Sequence, residues 1–296
     1  MSTVHYTNCP VCYSPSIAPL LTVRDFSVSG ESFVIWQCAD CSLRFTQDVP
    51  DQASVGPYYQ SQDYISHSDT DKGLVNRLYK KVRKYTLQRK ANLVIKNTKT
   101  KGSILDLGAG TGAFLKVVGE RGWEATGIEP DAGARALAKK LYGIQLLDTM
   151  ELKNLPAGKF DAITLWHVLE HVHELHEYVE QLKSLLKEKG KIFIAVPNYQ
   201  SLDANVYKSY WAAYDVPRHL YHFSPKSMQT LMEKHGLRII EHKPMWFDSY
   251  YISLISTRYK NGKTGWAGAV FSGFQSNIKA LFNRSACSSL IYIVTK

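Results

Sequence analysis

The 296-residue chain shows no long hydrophobic run, no internal repeat and no low-complexity tract. No stretch approaches the roughly 18 consecutive apolar residues of a membrane-crossing helix. The first residues also lack a basic segment followed by an apolar core, so neither membrane spanning nor secretion is expected and cytoplasmic residence is the default reading. Carboxylates are missing from two segments. None occurs from Lys72 to Leu105, where Arg77, Lys80, Lys81, Arg83, Lys84, Arg89, Lys90, Lys96, Lys99 and Lys101 together equal the whole formal excess of +10. Such a basic segment, 77–101, attracts RNA, an anionic membrane surface or a phosphorylated substrate, or is simply a solvated face. None occurs from Ser249 onward either, where Trp266, Phe271, Phe274 and Phe282 interleave with Lys263, Lys279 and Arg284. That region reads as an insertion at about 247–286 that packs on the core as a lid or helical pair, with contact to a membrane surface as the alternative.

Cysteine is scarce, at five, but it is patterned. Cys9-Pro-Val-Cys12 and Cys38-Ala-Asp-Cys41 are two C-x-x-C knuckles separated by enough chain for a β-hairpin, the zinc-ribbon arrangement. Two disulfides and a redox pair are the competing readings; a reducing compartment disfavours the first and the matched pairs the second. Four thiolates leave no open coordination position, so the Zn²⁺ expected on Cys9, Cys12, Cys38 and Cys41 is structural. Cys287 reads as a small buried residue.

The stretch Ile104-Leu-Asp-Leu-Gly-Ala-Gly-Thr-Gly-Ala-Phe-Leu115 runs from an apolar strand into Asp106, Gly108, Ala109, Gly110 and Gly112. Glycines between a strand and a helix let bare backbone amides face a nucleotide-type ligand. Alone, the loop also fits a dinucleotide pattern. Glu129 follows about twenty residues on, at the end of the next apolar stretch, where an acidic side chain meets ribose hydroxyls. A third block, Phe160-Asp-Ala-Ile-Thr-Leu-Trp-His-Val-Leu-Glu-His-Val172, precedes a helix and the apolar Lys191–Asn198. Together, over about residues 101 to 246, these three segments resemble class I S-adenosylmethionine-dependent methyltransferases.

That resemblance implies a Rossmann-like α/β fold whose mostly parallel sheet ends in a reversed strand, here Leu290–Val294 at the edge. It implies that Asp106 and the Gly108–Gly112 turn hold the methionine end of S-adenosyl-L-methionine and Glu129 the ribose. Asp148 then falls at the adenine, while Trp166 and His167 border the sulfonium. Apolar runs at 104–107, 125–128, 144–147, 160–166 and 191–196 alternate with helical patterns and agree independently with βαβ units. Leu175, Val179, Leu182 and Leu186 mark a helix expected to stop at Gly190, and Ser224-Pro225 and Gly236 bracket another. The expected organisation is a zinc ribbon at 1–50, a connecting region with a basic helix at 51–100, and the methyltransferase domain at 101–296. In the connecting region Tyr58, Tyr59 and Tyr64 either line the site or pack the ribbon.

For the acceptor side, Tyr214-Asp-Val-Pro-Arg-His-Leu-Tyr-His-Phe-Ser224 concentrates Asp215, Arg218, His219 and His222. Histidine titrates near neutrality and suits general-base work. Zinc-containing sugar C-methyltransferases are similar in layout and carry Glu-His-Leu-x-Tyr-Phe here; His219 matches, while Arg218 stands for the glutamate and His222 for the tyrosine. The exchange points away from the same sugar and toward an anionic acceptor paired with Arg218. His167, His171, His173 and His176 lack the H-E-x-x-H order and are not read as a metal site. The expected enzyme methylates oxygen or carbon of a small metabolite, such as a sugar, lipid-linked or polyketide-like compound. The alternative is an RNA methyltransferase that grips nucleic acid with the zinc module and basic helix.

Overall fold

The computed structural model describes residues 2–60, 74–98, 101–262 and 286–296, with the backbone alone for 74–80. Tyr64, Lys99 and the aromatic and basic residues between Lys263 and Arg284 lie outside the described residues. The chain divides into two compact units, each drawn from separate stretches of sequence. One comprises Met1–His67, Leu169–Tyr178 and Ala195–Tyr292; the other comprises Ser68–Val168, Val179–Ile194 and Ile293–Lys296.

In the first unit β1 (Thr3–Val4) pairs with β5 (Val49–Pro50), and β2 (Ile17–Arg24), β3 (Ser32–Cys38), β4 (Arg44–Thr46) and β10 (Tyr221–His222) form an antiparallel sheet in the order β10-β4-β3-β2. The β10 pairing sets His222 opposite Arg44 and Tyr221 opposite Phe45, so the 214–224 segment joins the N-terminal hairpin as a strand. Val23, Ile35, Tyr199, Trp211, Tyr214 and Val216 share one buried cluster beneath it. Around them lie α5 (Leu202–Tyr207), α6 (Pro225–Lys234) and α7 (Asp248–Asn261). The start of α6 is the expected one: Ser224 and Ser227 cap it reciprocally, with Pro225 in the first turn and Gly236 at φ +66° beyond its end.

The second unit holds α1 (Leu74–Thr98), then β6 (Ser103–Leu107), α2 (Ala113–Gly119), β7 (Glu124–Ile128), α3 (Ala132–Tyr142), β8 (Phe160–Trp166) and α4 (Leu175–Leu185), the last shared with the first unit. β6 pairs in parallel with β7 and β8, with Asp106 opposite both Gly127 and Thr164. With β9 (Leu186–Pro197), β11 (Arg238–Pro244) and β12 (Ser289–Thr295) these strands make one mostly parallel sheet of order β11-β12-β9-β8-β6-β7. The expected Rossmann-like α/β class is therefore what the chain adopts.

Three local expectations are corrected. Residues 144–147 form no strand but a single bridge, Ile128 to Leu147. Between Gly143, which closes α3 at φ +69°, and Asp148, which caps the following 3-10 turn, Leu147 exchanges backbone hydrogen bonds with Gly127 and Glu129. The helix α4 stops at Leu185 rather than Gly190; the chain runs on directly as β9, with Lys187 paired to Asp161 of β8 at 2.7 Å. Finally, β12 lies between β11 and β9 rather than at the edge. Six of its seven residues are buried, as an apolar run covered on both faces requires.

Candidate active site

The residues expected to hold the methyl donor lie in the second unit. Gly108, Gly110 and Gly112 have φ of +64°, +53° and +75°, a conformation that penalises any side chain. A methyl group on Gly108 would stand 2.5 Å from the Val168 side chain, whereas one on Gly110 meets nothing within 4 Å; the loop is therefore packed beneath and open above. Glu129 fastens it: Gly110 donates its backbone N–H to Oε2 at 2.7 Å, and Asp131 donates to Oε1 at 3.0 Å. The carboxylate expected at the ribose thus also shapes the glycine turn, and each oxygen retains a lone pair for a hydroxyl.

Asp106 is 1% exposed and accepts from the Thr164 hydroxyl at 2.6 Å. Burial pushes its pKa up to about 7, against the opposing hydrogen bond from Thr164 and the charge of Lys90. Asp148 instead caps the 3-10 turn through Met150 N–H and pairs with Arg135 at 2.9 Å, so it is anchored where the third apolar run ends. Trp166 lies edge-on to Phe114 and beneath the Lys90 ammonium. Its buried Nε1–H has no acceptor among the described residues. His167 adopts φ +61°, unusual for a side-chain-bearing residue. An open, positive-φ glycine turn, a carboxylate fixed beneath it and an orphaned indole N–H fit a bound nucleoside with an amino-acid arm.

The acceptor candidates lie in the first unit and fare differently from one another. Arg218, expected to meet an anionic acceptor, is 1% exposed. Its guanidinium donates to Asp25, Asp215, the Ser27 hydroxyl and the Tyr58 carbonyl. The fork is spent inside the protein, which corrects the anion-pairing expectation. Burial raises the pKa of Asp215, yet Arg218 holds it below the usual carboxylate range. His222 is buried too, with Nε2 3.1 Å from the Thr46 hydroxyl, and burial keeps it neutral by pulling its pKa well down.

His219 retains a usable nitrogen. Its Nδ1 lies 2.9 Å from the Ala213 carbonyl, and a carbonyl only accepts, so Nδ1 carries the proton and Nε2 the lone pair. In the neutral ring Nε2 is then the basic nitrogen, and it lies 4.0 Å from Asp215 Oδ2, the partner it would meet once protonated. The His171 ring meets it edge-on, with centroids 4.6 Å apart. Burial and the neighbouring His219 push the pKa of His171 down to about 4.

The remaining first-unit histidines read in sequence as a cluster are spent separately. His173 bonds the Pro50 carbonyl, and His176 bonds His235 and the Pro10 carbonyl. Tyr58 gives its hydroxyl to Glu31, and the Tyr59 hydroxyl lies 3.0 Å from His171 Nδ1. Sequence reasoning missed Asp25 altogether, for nothing in Val23-Arg-Asp-Phe26 announces a partner so far along the chain as Arg218.

The four ribbon cysteines meet as expected. Cys9 Sγ lies 3.5 Å from Cys41 Sγ and Cys12 Sγ 3.5 Å from Cys38 Sγ, and all four sulfurs fall within 4.8 Å of one another. None is in a disulfide. A tetrahedron with Zn–S bonds of about 2.3 Å has sulfur edges of roughly 3.8 Å, so the cluster has the size for one metal ion.

Comparison with known proteins agrees with this geometry. A family profile described as "Methyltransferase domain" matches residues 79–242. The chain is 35% identical over 106 residues to an uncharacterized methyltransferase of Alkaliphilus oremlandii, covering 35% of this chain and 49% of that protein. It is also 35% identical over 117 residues to a ubiquinone biosynthesis O-methyltransferase of Glaesserella parasuis, covering 34% and 50%. The chain thus spans about half the length of these curated relatives. In fold it is similar to magnesium protoporphyrin IX methyltransferase from Synechocystis PCC 6803, solved with bound SAH, at TM-score 0.52 and 13% identity over 81% of this chain and 96% of that one. Since the profile covers more than half of the chain and the glycine turn, Glu129 and the sheet's central strands all fall within it, the protein belongs to the methyltransferase-domain family.

Proposed function

We propose that the protein transfers a methyl group to an oxygen of a small hydroxylated metabolite, and that His219 is the group that activates that oxygen. The observation that carries this reading is the His219 tautomer, whose Nδ1–H is held by Ala213 so that Nε2 is the nitrogen left to take a proton, with the Asp215 carboxylate 4.0 Å away to receive the charge. The ubiquinone-biosynthesis relative, an O-methyltransferase by name, favours oxygen over carbon.

Methyl transfer is an in-line displacement at a sulfonium carbon, so positioning and proton removal are the protein's share. The Gly108–Gly112 turn with Asp106 and Glu129 holds the donor, with Asp148, Trp166 and His167 beside it; S-adenosylmethionine supplies the electrophilic methyl. Arg218 and His222 act as positioning residues. Arg218 ties the loop to Asp25, and its carbonyl accepts from His171, while His222 fixes β10 against Thr46. The cysteine cluster holds a structural Zn²⁺; metal analysis should find about one zinc per chain, and Cys9→Ser should lose it together with the fold of the N-terminal hairpin.

The test incubates the protein with methyl-labelled S-adenosylmethionine and fractionated cell extract. Label is expected in small molecules; label in RNA or protein instead overturns the acceptor class. His219→Ala should lower turnover about 100-fold or more while leaving the affinity for S-adenosylhomocysteine within about twofold. Unchanged turnover removes His219 from the chemistry.

A further inference from the structure

Glu170 and His171 meet His219, which arrives from a distant part of the chain. One donor atom of each lies within 4.8 Å of the others. Glu170 is fully buried and His219 is 8% exposed. The two imidazoles are oriented alike. His171 Nδ1 lies 3.0 Å from the Arg218 carbonyl and His219 Nδ1 2.9 Å from the Ala213 carbonyl. Carbonyls accept only, so both rings hold a proton on Nδ1, which makes Nε2 the ligand atom of each ring in its neutral form. The Tyr59 oxygen, also 3.0 Å from His171 Nδ1, shares that N–H as a second acceptor. A backbone carbonyl that fixes the far N–H of a histidine is the usual support of a metal-ligating imidazole. Arg218 does not compete for the cluster, because its guanidinium is directed to Asp25 and Asp215.

We infer that Glu170, His171 and His219 bind a divalent cation, separate from the metal on the four cysteines. Two imidazoles and one carboxylate suit a divalent ion of the first transition row, and three protein ligands leave coordination positions open to water or substrate. The four thiolates are a soft, closed set and select a different ion. The catalytic part of this inference rests on the methylation reading above. There the cation accepts an oxygen of the acceptor hydroxyl and lowers its pKa. The proton leaves to solvent, the oxygen lone pair forms the new C–O bond, and the C–S bond breaks to leave the neutral thioether. His219 then activates the acceptor by holding the ion, with Nε2 as ligand in place of direct proton abstraction.

The test uses Mn²⁺ alone as probe, with zinc-loaded full-length protein and neither S-adenosylmethionine nor acceptor present. Free Mn²⁺ is followed by electron paramagnetic resonance. One bound equivalent is expected for the unaltered protein, and Glu170→Gln and His171→Gln should each weaken it by at least about tenfold. Because either variant could be poorly folded, melting is recorded with and without Mn²⁺. The unaltered protein should gain stability on adding the ion, and the variants, whatever their own midpoints, should not. Absence of binding up to about 1 mM, or equal binding by the variants, overturns the site. Failure of methyl transfer to any small molecule while Mn²⁺ still binds would overturn the reaction and leave the cation site standing.

Discussion

Removing the Asp25 carboxylate should destabilise the first unit far more than its position in an N-terminal loop suggests. The side chain is fully buried and accepts seven hydrogen bonds: two from the Arg218 guanidinium, and the rest from Ser27 N–H and Oγ, Val28 N–H, and Ser29 N–H and Oγ. Asp25→Ala leaves three loop amides without their acceptor and leaves Arg218, 1% exposed, with Asp215 as its one remaining carboxylate. Breaking one side of a buried ion pair costs about 3–5 kcal/mol. With a urea dependence of about 2–3 kcal/mol per molar for a unit of this size, the midpoint should fall by roughly 1–2 M. Burial alone would raise the pKa of Asp25, but Arg218 and the loop amides overcome it and hold the group well below the usual carboxylate range. The contribution is therefore present above the unfolded value near 3.9 and is lost as pH falls through the folded value below it. Between about pH 5 and 8 the difference between the two proteins should be flat. Urea melts followed by circular dichroism at pH 7 and pH 5 decide the matter. A loss below about 1 kcal/mol, the level of an exposed pair, would refute the burial of this ion cluster.

Three further outcomes follow from the donor half. Glu129→Ala should weaken S-adenosylhomocysteine binding by about 10- to 100-fold, since it loses a charged hydrogen-bond acceptor and loosens Gly110 together; isothermal titration calorimetry measures it. Gly108→Ala should abolish that binding while the protein stays folded by circular dichroism, because φ is +64° and the added methyl meets Val168 at 2.5 Å. Asp106, pushed up to about 7, binds a proton in the folded state that the unfolded chain has already lost. Stability of the ligand-free protein should accordingly decline between about pH 4 and 7 relative to Asp106→Asn, and parallel pH profiles of the two in urea melts would refute the shift.

The glycine turn was legible because its geometry is local. Asp106, the three glycines and Glu129 stand close together in the chain, and each signal is a backbone requirement that sequence spacing expresses directly. The cysteine cluster was legible for a similar reason, since four ligands of one type in two matched pairs leave few arrangements. The acceptor half was not. Arg218 looks like a ligand-binding cation in sequence, and only the fold reveals that Asp25 lies against it. His171 reads in sequence as one of a histidine cluster with His167, His173 and His176 that lacks a metal-site order, whereas the chain turns it toward His219 and sends His173 and His176 to carbonyls elsewhere. The 144–147 run pairs with β7 through an isolated bridge at Leu147, and an apolar pattern does not distinguish such a bridge from a strand. The last strand was named but misplaced, since a run of buried residues does not reveal its neighbours.

The four ribbon cysteines suggest a module that could be cut away or grafted, but the composition of the first unit forbids it. Its residues come from three stretches that end near Tyr292, and β4 finds a neighbour in β10, a strand made much later in the chain. During synthesis the N-terminal hairpin must therefore wait for most of the polypeptide before Asp25 meets Arg218. Any chimera built on the ribbon should transplant Met1–His67, Leu169–Tyr178 and Ala195–Tyr292 as a set rather than the ribbon alone.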